Sequence, residues 1–205
     1  MKLPTNKKAE QILIEPSTYS DIDFSKYKDN EKLFWFQEKR IDSWLIKDTK
    51  NIKYKAESLL GLAAMISIGV ETLSQFRYGT TSNSDKFFPR FLENYIDPKF
   101  KTEVKSPFPE DKGGTTTYSK VFYFGIRNKL MHSFLFRYAV LIEPLNDSLV
   151  WETNKNRLLV DARRLLINFE DGVNKYMAEV WQAKRNSVIY KNFFKVFNLS
   201  YKKLY

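Results

Sequence analysis

Residues 117–138 read TYSKVFYFGIRNKLMHSFLFRY, and the choice of fold turns on them. Val121, Phe122, Phe124, Ile126, Leu130, Met131, Phe134, Leu135 and Phe136 make the stretch apolar almost all round. Such a pattern predicts a long helix from Thr117 to Tyr138, buried within a bundle or between subunits, with Thr115, Thr116 and Thr117 as N-cap candidates. Into this helix the sequence sets Arg127, Asn128, Lys129 and the chain's single histidine, His132. Polar groups on an apolar helix are costly unless they find partners, so this constellation demands an explanation. At about 100° per residue, Gly125 and His132 project within about 20° of each other and Asn128 about 40° from His132, with Arg127 flanking the stripe. Glycine there admits another backbone closely, as a crossing partner helix requires.

Working outward, the pattern predicts further helices. One begins at Asp29 and ends near Asp48 to Asn51, carrying Leu33, Phe34, Phe36, Ile41, Trp44 and Leu45. A second, about Tyr54 to Arg77, is rich in Leu and in the small residues Gly61, Ala63, Ala64, Ser67 and Gly69. A short one covers about Lys86 to Tyr95. Asp161 caps a long one whose buried face runs from Leu165 to Trp181, and the Tyr-, Phe- and Lys-rich tail from Ser187 holds one more. Residues 149–152 and 157–160 read as a small hairpin. Residues 97–114, with Pro98, Pro107, Pro109 and Gly113-Gly114, read as a long loop. The expected fold class is therefore all-α: an up-and-down helical bundle of about four main helices plus short ones, with at most one small β-hairpin. Residues 1–27 read as an irregular N-terminal arm and 28–205 as a single helical domain.

Composition narrows the chemistry. With 43% hydrophobic and 16% aromatic residues among 205, and only 7 Gly and 7 Pro, the chain is neither a disordered nor a collagen-like sequence. The absence of cysteine removes disulfides, Fe–S clusters, thiolate zinc sites and Cys nucleophiles together. One histidine argues against an all-protein catalytic zinc, so no metal and no cofactor is expected. A net charge of +10 favours anionic partners such as nucleic acid. Lys99, Lys101 and Lys105 in the long loop, with Lys129 on the motif helix, are candidate RNA contacts. The N-terminus lacks an apolar run behind its basic residues, and Leu59 to Leu73 falls short of the roughly 20 residues a membrane span needs, so a cytoplasmic, membrane-free protein is expected.

Metal-free RNA cleavage by ribose 2′-OH attack uses a base, an acid and a cation for the extra charge. A single chain has one imidazole; a two-fold dimer through the motif helix supplies two His132, two Asn128 and two Arg127 in one cleft. Arg127 would hold the phosphate through its planar fork, and Asn128 would orient the imidazole or a phosphate oxygen. Glu71, on the small-residue helix, is a candidate partner for Arg127, a solvated or core-satisfied carboxylate being the plainer reading. The plainer reading of the motif itself is that Arg127 and Asn128 bond neighbouring helices and His132 is an ordinary packed histidine.

Phe124-Gly125-Ile126-Arg127-Asn128-Lys129-Leu130-Met131-His132-Ser133 resembles the motif of the HEPN superfamily, an Arg, a short spacer and a His, often with a polar residue after the Arg. The order of helices over residues 29–185 also resembles that of HEPN domains. The resemblance implies an up-and-down helical bundle, usually a homodimer with motif helices facing each other. In active members it implies a metal-independent endoribonuclease in toxin–antitoxin, abortive-infection or CRISPR-associated defence, with Arg127, His132 and Asn128 as the matching catalytic positions. A cognate antitoxin or regulatory protein would be a separate chain. The alternative is a catalytically silent HEPN-like module that binds nucleic acid, nucleotide or a partner protein.

Overall fold

A computed structural model of the chain describes residues 22–54, 57–133 and 136–201, without the side chains of 131–133. The fold is mostly helical, with two small sheets. Helix α1 runs through Asp29–Trp35, a π-helical stretch Phe36–Ile46, and Lys47–Tyr54. Its first turn is closed by Glu31, whose carboxylate accepts the Lys28 N–H at 2.8 Å. Helix α2 is Leu59–Tyr78. Ser58 Oγ accepts the Gly61 N–H at its start, and Gly79, at φ +70°, ends it in the left-handed conformation that glycine adopts without a Cβ clash. Helix α3 is Ser84–Phe91 with a π turn, Leu92–Ile96.

The motif helix, α4, is Tyr118–Phe122, a π turn Tyr123–Arg127, and Asn128–Ser133. Thr117 caps it as expected. Helix α5 is Ala162–Gln182, capped by Asp161, and α6 is Val188–Ser200.

Helix α2 lies at the centre of the core. Leu62, Ala63, Ile66, Val70 and Leu73 have no exposed surface, and α1, α3, α4, α5 and α6 all pack on it. By length and composition alone α2 could cross a membrane, with a mean hydropathy of 1.5, but half of that window is buried within the fold. Helix α6 returns over α1 and α2 through an aromatic cluster: Phe193 meets Phe36 at 5.2 Å and Phe76 at 5.0 Å, and Phe197 meets Phe24 edge-on at 5.2 Å. Each such pair adds about 0.5–1.5 kcal/mol beyond area burial. Phe24 and Ile22, on the stretch read as irregular arm, are thus part of the core, whereas residues 1–21 lie outside the described residues.

The pure all-α expectation is corrected by the sheets. The expected hairpin is present as β4 (Leu149–Glu152) against β5 (Arg157–Asp161), in the register Leu149↔Val160 and Glu152↔Arg157. A further strand, β3 (Ala139–Ile142), pairs in parallel with β5, which makes β5 central. The motif helix therefore does not reach Tyr138. Ala139, Leu141, Leu158 and Val160 point into the core, so the period there is two and not that of a helix. Within the expected long loop, β1 (Glu103–Lys105) and β2 (Thr115–Thr117) form a second antiparallel ribbon that turns through Lys112 and Gly113.

Candidate functional site

The π turn sets the position of Arg127. The Asn128 N–H bonds the Tyr123 carbonyl, five residues back, instead of the usual four. Inserting that turn shifts every later side chain relative to a regular helix, and such turns recur at functional sites. Gly125 consequently faces β3 of its own chain. A Cβ on it would lie 2.8 Å from the Ala139 nitrogen, and its carbonyl accepts the Arg137 N–H. The close approach expected for a partner helix is made by the protein's own strand.

Arg127 reaches across to α2. Its Nε donates to Glu71 Oε2 at 2.9 Å, its Nη2 donates to Glu71 Oε1, and its Nη1 donates to Asn128 Oδ1 at 2.7 Å. Ser84, at the start of α3, donates its hydroxyl to the same Glu71 Oε1 at 2.8 Å. The guanidinium lies 5.4 Å from the Tyr123 ring centre. Burial pushes the Tyr123 phenol above its ordinary pKa, while the adjacent Arg127 pulls it the other way. Three helices thus meet in one bidentate ion pair whose side chains keep only 17% and 21% of their exposure. A forked Arg–carboxylate pair fixes both direction and distance, which a single point charge does not. Of the two readings of Glu71, the pairing with Arg127 is the one the structure contains.

One cleft is linked to this ion pair through Asn128, and a second is lined by Arg127 itself. The first, of about 310 Å³, is walled by Phe108, Phe124 and Tyr138 and carries Asn128, Lys129, Glu110 and Arg137. The other, of about 340 Å³, is an apolar groove between α2 and α4, lined by Leu60, Ala64, Ser67 and Ile68 on one side and Arg127 and Leu130 on the other.

The remaining sequence candidates fall differently. Lys129 lines the first cleft beside Asn128, but Lys99, Lys101 and Lys105 line neither cleft. Lys99 is bound to Asp147 at 2.5 Å, which holds that carboxyl below its ordinary pKa. Lys101, in the short 3-10 turn Pro98–Lys101, and Lys105, on the ribbon, are exposed. The backbone of His132 is in the last turn of α4, while its side chain lies outside the described residues. Among the described residues no group of three His, Asp or Glu is placed to hold a metal.

Sequence reading missed Tyr123 and Ser84. Tyr123 stands one turn before Arg127 and was within reach of a spacing argument, whereas Ser84 arrives only through the packing of α3. Chemically, the arrangement presents a cation on an apolar groove, pre-aligned by a carboxylate and by an amide that itself lines an aromatic cleft with two further cations. No protein-family model, curated protein or solved structure matches this chain.

Proposed function

We propose that the chain is a metal-independent endoribonuclease of HEPN type, a homodimer acting in the cytoplasm as a toxin or antiviral-defence component. The observation that carries this reading is the placement of Arg127. It lines the apolar groove and donates to Asn128, which lines the aromatic cleft; it is oriented by Glu71 and is not sealed in the core. In the reaction the ribose 2′-oxygen bonds to phosphorus as its proton passes to a base, the P–O5′ bond breaks, and the leaving oxygen takes a proton from an acid. His132 of the two chains supplies base and acid, and Arg127 stabilises the added negative charge. The exposed apolar groove beside Arg127 supports a second copy as its cover, since a patch of this kind marks an interface. The packing of α1, α4 and α5 against α2 supports the HEPN-like bundle.

A specific observation favours the silent-module alternative. Nε, Nη1 and Nη2 of Arg127 each donate within the chain, so three of its five N–H donors are already committed before a phosphate arrives. Incubation of wild type and Arg127→Ala with mixed RNA in EDTA separates the readings. The nuclease reading expects cleavage by wild type and none by a variant whose circular dichroism matches it. Equal backgrounds would leave the binding module.

A further inference from the structure

We infer that the cleft beside the ion pair is a guanine-ribonucleotide subsite, the place where the base next to the reacting phosphate is held. The assignment rests on the nuclease reading for the ligand being RNA, and on the cleft's own chemistry for the base.

Four features converge. Phe124 is 37% exposed although it sits on a core helix, and its ring meets Phe108 edge-on at 5.3 Å, so Phe108 fixes it as an open platform. Tyr138 closes the opposite wall, packed edge-on against Phe108 at 5.1 Å with the Arg137 guanidinium 5.0 Å from its ring centre. Aromatic rings and arginine planes are the surfaces on which unpaired RNA bases stack. Lys129 and Arg137 supply positive charge within the same 310 Å³ for a phosphate.

The polar groups then select the base. Asn128 gives its Oδ1 to Arg127, so towards a ligand it offers N–H donors. Glu110, also on the cleft, can only accept when it is ionised. A donor and a carboxylate on the walls of one cleft complement guanine, whose O6 accepts while N1–H and N2–H both donate. Uracil has two acceptors around one donor and matches poorly. Because Asn128 touches both Arg127 and the cleft, a base seated here brings its own phosphate to the guanidinium.

The test is calorimetric titration of the full wild-type chain with 3′-GMP and, separately, 3′-UMP, which requires no cleavage. The inference expects saturable 3′-GMP binding at least about ten-fold tighter than 3′-UMP. Phe124→Ala should weaken 3′-GMP by about ten-fold, as expected for loss of one stacking ring, with a melting temperature near that of wild type. Glu110→Gln should erase the preference while leaving 3′-UMP binding unchanged. No binding, equal affinities, or indifference to Phe124→Ala would each overturn the subsite. Selective 3′-GMP binding by a chain that cuts no RNA would uphold the subsite and remove the nuclease reading. RNA cleavage without selective binding would do the reverse.

Discussion

Arg127 and Glu71 stabilise one another at a position where neither would be tolerated alone. Each keeps about a fifth of its side-chain exposure, and Glu71 also accepts the Ser84 hydroxyl. Removing one partner strands the other's charge in a half-buried setting, at a cost of about 1–3 kcal/mol. Glu71→Ala and Arg127→Ala should therefore each lower stability in urea, and the double variant should lose clearly less than their sum. Strict additivity would mean that the two side chains do not stabilise one another. Arg127→Lys should behave more like the alanine variant than a conservative change, because an ammonium cannot make the fork. At this scale much was visible in the sequence. Arg127, Asn128 and Lys129 announced themselves as polar residues on an apolar helix, and Glu71 was nameable as a candidate. Ser84 was not, because nothing local in a serine after Asn83 says that its hydroxyl meets a carboxylate on another helix.

Among the elements, the contact of α4 with β3 decides how the motif is presented. Gly125 leaves no room for a Cβ, with the Ala139 nitrogen at 2.8 Å. Gly125→Ala should push the strand off the helix and cost about 1–3 kcal/mol, read as a fall of about 2–4 °C in Tm per kcal/mol. A second junction is Asp161. Its Oδ1 accepts the Arg164 N–H and caps α5, while its Oδ2 accepts the Leu145 N–H of the preceding loop. Asp161→Ala should cost about 2–4 kcal/mol in urea denaturation, the cap and an orphaned amide together. The cap and the β4–β5 hairpin were readable because both are local signals. Strand β3 was hidden because its four residues continue the apolar run that begins in α4, and its partner, β5, pairs in parallel from further along the chain. The π turn was hidden too, because hydrophobic spacing assumes a regular helix, and so was the neighbour of Gly125, which is β3 and not a crossing helix.

For the whole molecule, the tyrosines give a pH signature. Burial raises Tyr176 well above its ordinary value of 10.0, and burial with the hydrogen bond to Asp29 pushes Tyr190 up to about 12. A raised folded-state pKa means that the native state binds the proton more tightly than the unfolded chain. The associated stability is complete below about pH 10 and lost as pH rises through the folded values. Alkaline titration should therefore show phenolate absorbance for these rings rising together with loss of the fold, and not before it. Association belongs to this scale as well. Under the proposed function the chain sediments as a dimer, and Ile68→Glu, at a 39% exposed position in the apolar groove, should give a folded monomer without nuclease activity. The central claim is that two copies of Arg127 and His132 cut RNA without a metal. It is tested most directly by mass analysis of fragment ends after digestion of mixed RNA in EDTA by wild type and by His132→Ala. Wild type alone should leave 2′,3′-cyclic phosphates and 5′-hydroxyls. Fragments at the same level from both proteins, or 5′-phosphate ends, would contradict it.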